Sequence, residues 1–164
     1  MPFELPDNLH PNCAPIAWML GTWRGNGHGD YPTIEKFEFG QELIFTHDGR
    51  PFFHYMARSW VVDDKGEKVR DGAIETGFVR CPEPGRIEML LTHNTGFAEV
   101  WYGSAGEARM EIATDAVVRT ETAKEVVAGH RLYGYVEGDL LYAYDMAAVG
   151  EPKQPHLWAR LRRQ

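Results

Sequence analysis

The chain has 164 residues, of which 43% are apolar and 25% charged, with a formal net charge of −7. A chain of this length buries roughly 70% of the surface its unfolded form exposes, enough for one domain without disulfide or metal staples. The acidic balance, with no basic run before the last few residues, excludes a phosphate-backbone binder, and the apolar content excludes wholesale disorder. The first segment is punctuated by Pro2, Pro6, Pro11 and Pro15 and then turns apolar from Ile16 to Leu20. A short helix or helical turn over 14–20 is expected there, with Asn12 as its cap and Gly21 as its stop. After Gly21 the apolar period becomes two. In FEFGQELIF (37–45), Phe37, Phe39, Leu43 and Phe45 share one face, while Glu38 and Glu42 take the other. Asp48-Gly49 turns the chain into PFFHYMARSWVV (51–62), and DDKGEK (63–68) turns it again. Further strands are expected over 73–80, 86–93, 97–103 and 108–117. The series ends with 125–136, 140–149 and 155–163. About ten short strands at regular spacing predict an all-β, antiparallel up-and-down meander, most simply a closed barrel or a sandwich, with one short N-terminal helix. Closure removes the exposed edges that an aromatic-rich β chain must otherwise protect. Residues 1–164 read as one domain, with 1–13 as an N-terminal extension.

The stretch GTWRGNGHG (21–29) resists a nucleotide-binding reading. It lacks the GxGxxG order, no strand precedes it, no amphipathic helix follows it, and no Gly-Lys-Ser/Thr occurs. Two uses remain. The glycines let a strand bend or pack closely against a bulky neighbour, with Trp23 plugging a barrel end, or they let a ligand approach the backbone. Cys13 and Cys81 have no CxxC partner, so free thiols in a reducing cytosol are expected. Glu4 and Asp7 stand where a signal peptide would carry Lys or Arg, and no run of about 18 apolar residues is present, so a cytoplasmic protein with no membrane association is expected. A homodimer remains open as its assembly state.

Gly21-x-Trp23-x-Gly25-x-Gly27 resembles the GxWxGxG signature of the nitrobindin family. Tyr31-Pro32-Thr33, Asn94-Thr95-Gly96, Thr122-Ala123-Lys124-Glu125 and Pro155-His156-Leu157 match further family positions in the same order. Singly these motifs are weak; in this order and spacing they are specific, and they cover the chain from about Leu20 to Arg163. The resemblance implies a ten-stranded barrel of the fatty-acid-binding-protein or lipocalin type with one haem b per chain at one mouth. It implies that ferric haem isomerises peroxynitrite to nitrate, that nitric oxide binds the same haem, and that no catalytic side chain is needed beyond the iron.

His156 is the candidate axial ligand by its match to the family's Pro-His-Leu; a lone histidine near a chain end is otherwise an ordinary solvated one. Strict alternation raises an objection. If Leu157, Ala159 and Leu161 face the core, His156 faces out unless a bulge follows Pro155 or the site lies at a mouth rim with both faces partly covered. Thr33 is a candidate haem contact, set against a plain turn residue, and Lys124 a candidate propionate partner, set against a solvated lysine. Arg160, Arg162 and Arg163 compete for the propionates, and His28 and His93 for the open face of the haem. No His-x-His or i, i+4 pair suggests zinc. Two other classes stay open. One is a carrier of a hydrophobic ligand with an internal arginine among Arg58, Arg80 and Arg131; the other is a haem-based sensor.

Overall fold

The computed structural model describes residues 3–164, so Pro2 lies outside the described residues. Ten strands run β1 Gly21–Tyr31, β2 Ile34–Thr46, β3 Phe52–Val62, β4 Lys68–Glu83, β5 Arg86–His93, β6 Phe97–Gly106, β7 Arg109–Arg119, β8 Val126–Val136, β9 Asp139–Ala148 and β10 Gln154–Arg163. Each pairs antiparallel with the next, and β1 pairs with β10, closing the barrel. The expected all-β meander is therefore the observed fold. The β1–β2, β3–β4, β5–β6, β7–β8 and β9–β10 connections gather at one end, here the mouth. The chain enters at the other, closed end.

The expected short N-terminal helix is present, with an earlier start and a different cap. It is a 3₁₀ stretch over Pro11–Met19, capped by His10, whose Nδ1 accepts from the Asn12 N–H at 3.1 Å. Pro11 and Pro15 each lack an N–H, and Pro15 inside an α-helix would also clash with the preceding turn. The tighter repeat of three residues per turn instead stacks Cys13, Ile16 and Met19 on one face, and all three are fully buried against the barrel. Trp23 lies at this closed end, as its place in the sequence suggested. It is fully buried and donates from Nε1 to the Met19 carbonyl at 2.8 Å.

The glycines of β1 serve close packing. β1 pairs along most of its length with both β10 and β2. A Cβ at Gly27 would stand 2.5 Å from Phe39 Cζ and 2.6 Å from the Trp158 carbonyl, and at Gly29 it would enter the Phe37 ring. Two inward aromatic rings of β2 thus lie flat on a backbone kept bare for them. The space the glycines leave is filled by protein, which favours the structural reading over ligand approach.

β4 runs longer than its apolar core predicted. Its leading residues KVRDG pair with Trp60–Val62 although they show no alternation, because both faces are wet at the mouth. The lower barrel is apolar throughout, with Phe45, Phe53, Met89 and Leu161 all buried there.

Candidate functional site

His156 stands near the start of β10, at the mouth. The pairing of β10 with β9 slips between Pro155 and Leu157: Pro155 faces Asp145 and Leu157 faces Tyr144, so His156 is the extra residue of a bulge. The bulge removes the alternation conflict. Ala159 and Leu161 stay buried, Leu157 packs against the core, and the His156 ring sits edge-on to Tyr31 at 5.3 Å and to Tyr144 at 5.7 Å.

The ring's hydrogen bonding sets its tautomer. Nδ1 lies 3.0 Å from the Asp30 carbonyl oxygen, which can only accept, so Nδ1 carries the proton and donates. The lone pair is then on Nε2. Burial pushes the imidazole below its ordinary value; the bond to Asp30 opposes this, and the Lys124 and Arg131 charges reinforce it. The ring is thus neutral at neutral pH, with one nitrogen buttressed by a carbonyl and the other available. That is the donor arrangement of a metal-ligating histidine.

Around it the walls are apolar. Tyr31, Val126 and Ala148 form a cluster with Phe97 and Met146, and the Tyr31 hydroxyl bridges to β9 by accepting from Ala148 N–H at 2.9 Å. A flat apolar macrocycle fits such walls, and an imidazole with a free Nε2 fits its iron. Lys124, in the β7–β8 loop at the same mouth, is exposed and makes no salt bridge among the described residues, so its ammonium is available to an anionic edge group. Thr33 lies in the β1–β2 turn at this end, exposed, with no side-chain hydrogen bond among the described residues. Gly21 and Trp23 belong to the closed end, and Gly25 and Gly27 to the middle of β1, so the GxWxGxG motif supports the barrel and does not line the mouth.

Several competitors leave the site. His28 points outward, its side chain 55% exposed and stacked on Trp158. Arg163 lies at the closed end, seven residues or roughly 23 Å along the strand from His156. It donates to the Trp18 and Leu20 carbonyls and stacks over Trp23. Arg160 is held on the outside by Asp139 and Glu137. None of these can meet a group at the mouth, because alternation and strand length carry them away from it. His93 stays at the mouth, stacked on Phe97 at 3.9 Å, but both its nitrogens face carboxylates: Nε2 meets Glu99 at 2.5 Å and Nδ1 meets Glu75 at 3.5 Å.

Beneath the mouth lies a charged layer in which the sequence marked Arg131 as a candidate internal arginine but not its partners Glu75 and Glu99. Arg131 grips Glu75 with two bonds of 2.8 Å and stacks over Tyr144 at 4.6 Å and Trp101 at 4.9 Å. Tyr55 donates to Glu75 at 2.7 Å, and Arg131 donates to the Tyr133 hydroxyl at 3.2 Å. Burial alone would raise the Glu75 carboxyl. The Arg131 charge and its hydrogen bonds, with help from His93 and Tyr55, overcome this and hold it at about 2. Arg131 Nε, Trp101 Nε1 and Glu99 Oε2 are buried without a protein partner, so the layer keeps spare hydrogen-bonding capacity under the mouth. A signal existed in the sequence: Glu75, Glu99 and Arg131 each fall on the inward parity of a strand, beside Val79, Trp101 and Tyr133.

A model of the "THAP4-like, heme-binding beta-barrel domain" matches residues 12–163. The chain is 74% identical to a peroxynitrite isomerase from Nocardioides sp. over 164 residues, covering all of both chains. It is 49% identical to a peroxynitrite isomerase from Salinispora arenicola, covering 94% of this chain and 82% of that one. A ferric nitrobindin-like protein from Cutibacterium acnes is 42% identical, with 99% of each chain covered. Among solved structures, Rv2717c from M. tuberculosis is similar at a TM-score of 0.85 and 36% identity, with 95% of this chain and 99% of that chain covered.

Proposed function

The chain belongs to the THAP4-like, heme-binding β-barrel family, and from that premise we propose that it is a haem b protein that isomerises peroxynitrite to nitrate, acting as one domain over residues 1–164 with His156 as the iron ligand. The observation that carries the ligand assignment is the bulged, neutral His156, tied at Nδ1 to the Asp30 carbonyl and free at Nε2. When bound, ferric haem supplies an open coordination position at which peroxynitrite rearranges and nitric oxide also binds. The chain's own residues do the rest. His156 fixes the iron, and Tyr31 and Tyr144 fix the plane of its ring. Phe97 and Met146 keep water from the apolar walls. Lys124 meets a propionate, and Thr33 contacts an edge of the macrocycle from the β1–β2 turn. Peroxynitrite and nitrate are isomeric anions, so the reaction takes up and releases no net proton, and no general acid or base is assigned.

Two observations count against a fatty-acid carrier. Arg58 and Arg80 lie on the outer surface, paired with Glu42 and Glu88. Arg131 is internal, but its charge is already taken by Glu75. A free carboxylate would have to displace a buried ion pair. The test is titration of the purified protein with ferric haem, followed by stopped-flow mixing with peroxynitrite. The expected result is a Soret band at one haem per chain, faster decay in proportion to loaded protein, and a raised nitrate yield. Nitric oxide binding without any increase in decay rate would make the protein a sensor instead.

We also place the protein in the cytoplasm, where two free thiols are at home, and pair it with a second copy of itself. What supports the pair is an apolar patch on the outer face of β4–β7. Phe78, Leu90 and Val100 lie in one cross-strand row and Ala98 beside Val118 in the next, around a groove of about 480 Å³. Phe78, Leu90 and Val118 are exposed by 43%, 41% and 71%. Such contiguous apolar surface marks association. Sedimentation velocity should give a species of twice the 18.7 kDa chain mass, reverting to one chain in Leu90→Glu; a wild-type monomer at all concentrations refutes it. No helix among the described residues is long and apolar enough to cross a membrane.

A further inference from the structure

The two cysteines, far apart in sequence, meet at the closed end of the barrel. Cys13 sits on the inner face of the 3₁₀ segment and Cys81 on the inner face of β4; both are fully buried in the same core cluster. Their neighbours lock the two backbones together. Asn12 Nδ2 donates to the Cys81 carbonyl at 3.1 Å and to the Pro82 carbonyl at 3.2 Å, and the Cys81 N–H donates to the Pro51 carbonyl at 2.9 Å. The two thiols are neighbours in that core, each the leading influence on the other's titration.

We propose that Cys13 and Cys81 are a redox pair that a peroxide-class oxidant converts to an intramolecular disulfide, stapling the N-terminal segment to the barrel. The chemistry balances as a two-electron step. The Cys13 thiolate attacks one peroxide oxygen and the O–O bond breaks. With hydrogen peroxide, the departing hydroxide takes up a proton and leaves as water, and Cys13 becomes a sulfenic acid. The Cys81 sulfur then attacks Cys13 and expels the second oxygen, which leaves as water with the Cys81 proton. Two thiols are oxidised and one peroxide is reduced. With peroxynitrite the same step gives nitrite, water and the disulfide, a product distinct from the nitrate of isomerisation.

The roles follow from the two placements. The contact with Cys81 lowers the Cys13 thiol, with burial opposing, whereas the contact with Cys13 and burial both raise Cys81. Cys13, on the 3₁₀ segment that must lift, is the attacking sulfur, and Cys81, fixed within β4, is the resolving one. Access comes through the 3₁₀ segment. Pro15 lies inside it and gives no N–H to its hydrogen bonds, so lifting this segment off the barrel is the route by which an oxidant would reach the sulfurs.

The test treats the full-length purified protein with hydrogen peroxide under native conditions and follows free thiols, intact mass and melting temperature. The expected result is loss of both thiols together, a mass lower by two hydrogens, full reversal by dithiothreitol, and a melting temperature raised by about 5–10 °C through closure of a long loop. Cys81→Ala should stop at a Cys13 sulfenic acid that dimedone traps, and Cys13→Ala should leave Cys81 unreacted on the same timescale. Circular dichroism of both variants checks that the barrel is retained. Thiols that stay free in the native protein while closing in the urea-unfolded chain would overturn the proposal. So would oxidation that yields only cross-chain dimers or sulfinic and sulfonic acids.

Discussion

His156→Ala, titrated with ferric haem, is expected to show no Soret band of wild-type intensity or position and to lose haem affinity by more than about 100-fold. That is the upper end of what changing a mere outer-shell partner of a metal ligand costs, and here the ligand itself is removed. The loss is specific to the iron bond. The ring sits at the rim, and its neighbours Tyr31 and Tyr144 keep their own anchors: Tyr31 through Met146 and Ala148, and Tyr144 through its stacking under Arg131. The apoprotein should therefore unfold within about 1–2 kcal/mol of wild type, the scale of an ordinary substitution. His93→Ala is the discriminating control. It is the other buried imidazole at the mouth, but its two ring nitrogens already face Glu99 and Glu75. If His93→Ala abolished the Soret band and His156→Ala kept it, the two histidines would have to exchange roles.

Arg131→Met is the second large effect, and it acts on the fold. It leaves Glu75 as a buried carboxylate without its counter-ion, a change that costs about 3–5 kcal/mol. Against the total stability of roughly 5–15 kcal/mol for a domain, this is a large fraction. Replacing both partners, as Arg131→Met with Glu75→Gln, should recover much of the loss, because no uncompensated charge then remains. The pH dependence carries a sign that separates this account from simple loss of packing. In wild type the Glu75 carboxyl is depressed to about 2 from 4.5, so its contribution is full above pH 4.5 and is lost as pH falls toward 2. In Arg131→Met burial is left to dominate and the carboxyl rises above its unfolded value. Its folded state then prefers the proton, and stability falls as pH rises through the neutral range. Urea midpoints from pH 4 to 8 read this directly. A variant whose loss were the same at every pH would show that the ion pair is not its cause.

Most of the mouth's chemistry was hidden by the same feature that made the strands easy to read. Alternation located β2 through Phe37, Phe39, Leu43 and Phe45, and located β5 at 86–93 to the residue. It also marks Glu75, Glu99 and Arg131 as inward charges, yet each looks like noise in its own strand. Only closure of the sheet brings β4, β6 and β8 around one axis, where Glu75 and Arg131 neutralise one another and Glu99 meets His93. The short N-terminal helix was legible, but its 3₁₀ form and its cap were not, for a local reason. Its apolar run resembles an α-helix, and the two prolines that make it 3₁₀ also shift its cap from Asn12 to His10.

Composition, turn chemistry and a period of two were enough to specify an antiparallel meander of ten strands, and the motif order was enough to place the chain in its family, because local backbone preference and one buried face are properties each strand carries alone. Which way His156 points was decided by the tertiary structure. A one-residue slip against β9 turns a side chain that alternation sends outward into one packed between two tyrosines, and the Asp30 carbonyl on the neighbouring strand selects the tautomer that leaves Nε2 open. Register and cross-strand hydrogen bonds exist only between strands, so no single strand's sequence contains them.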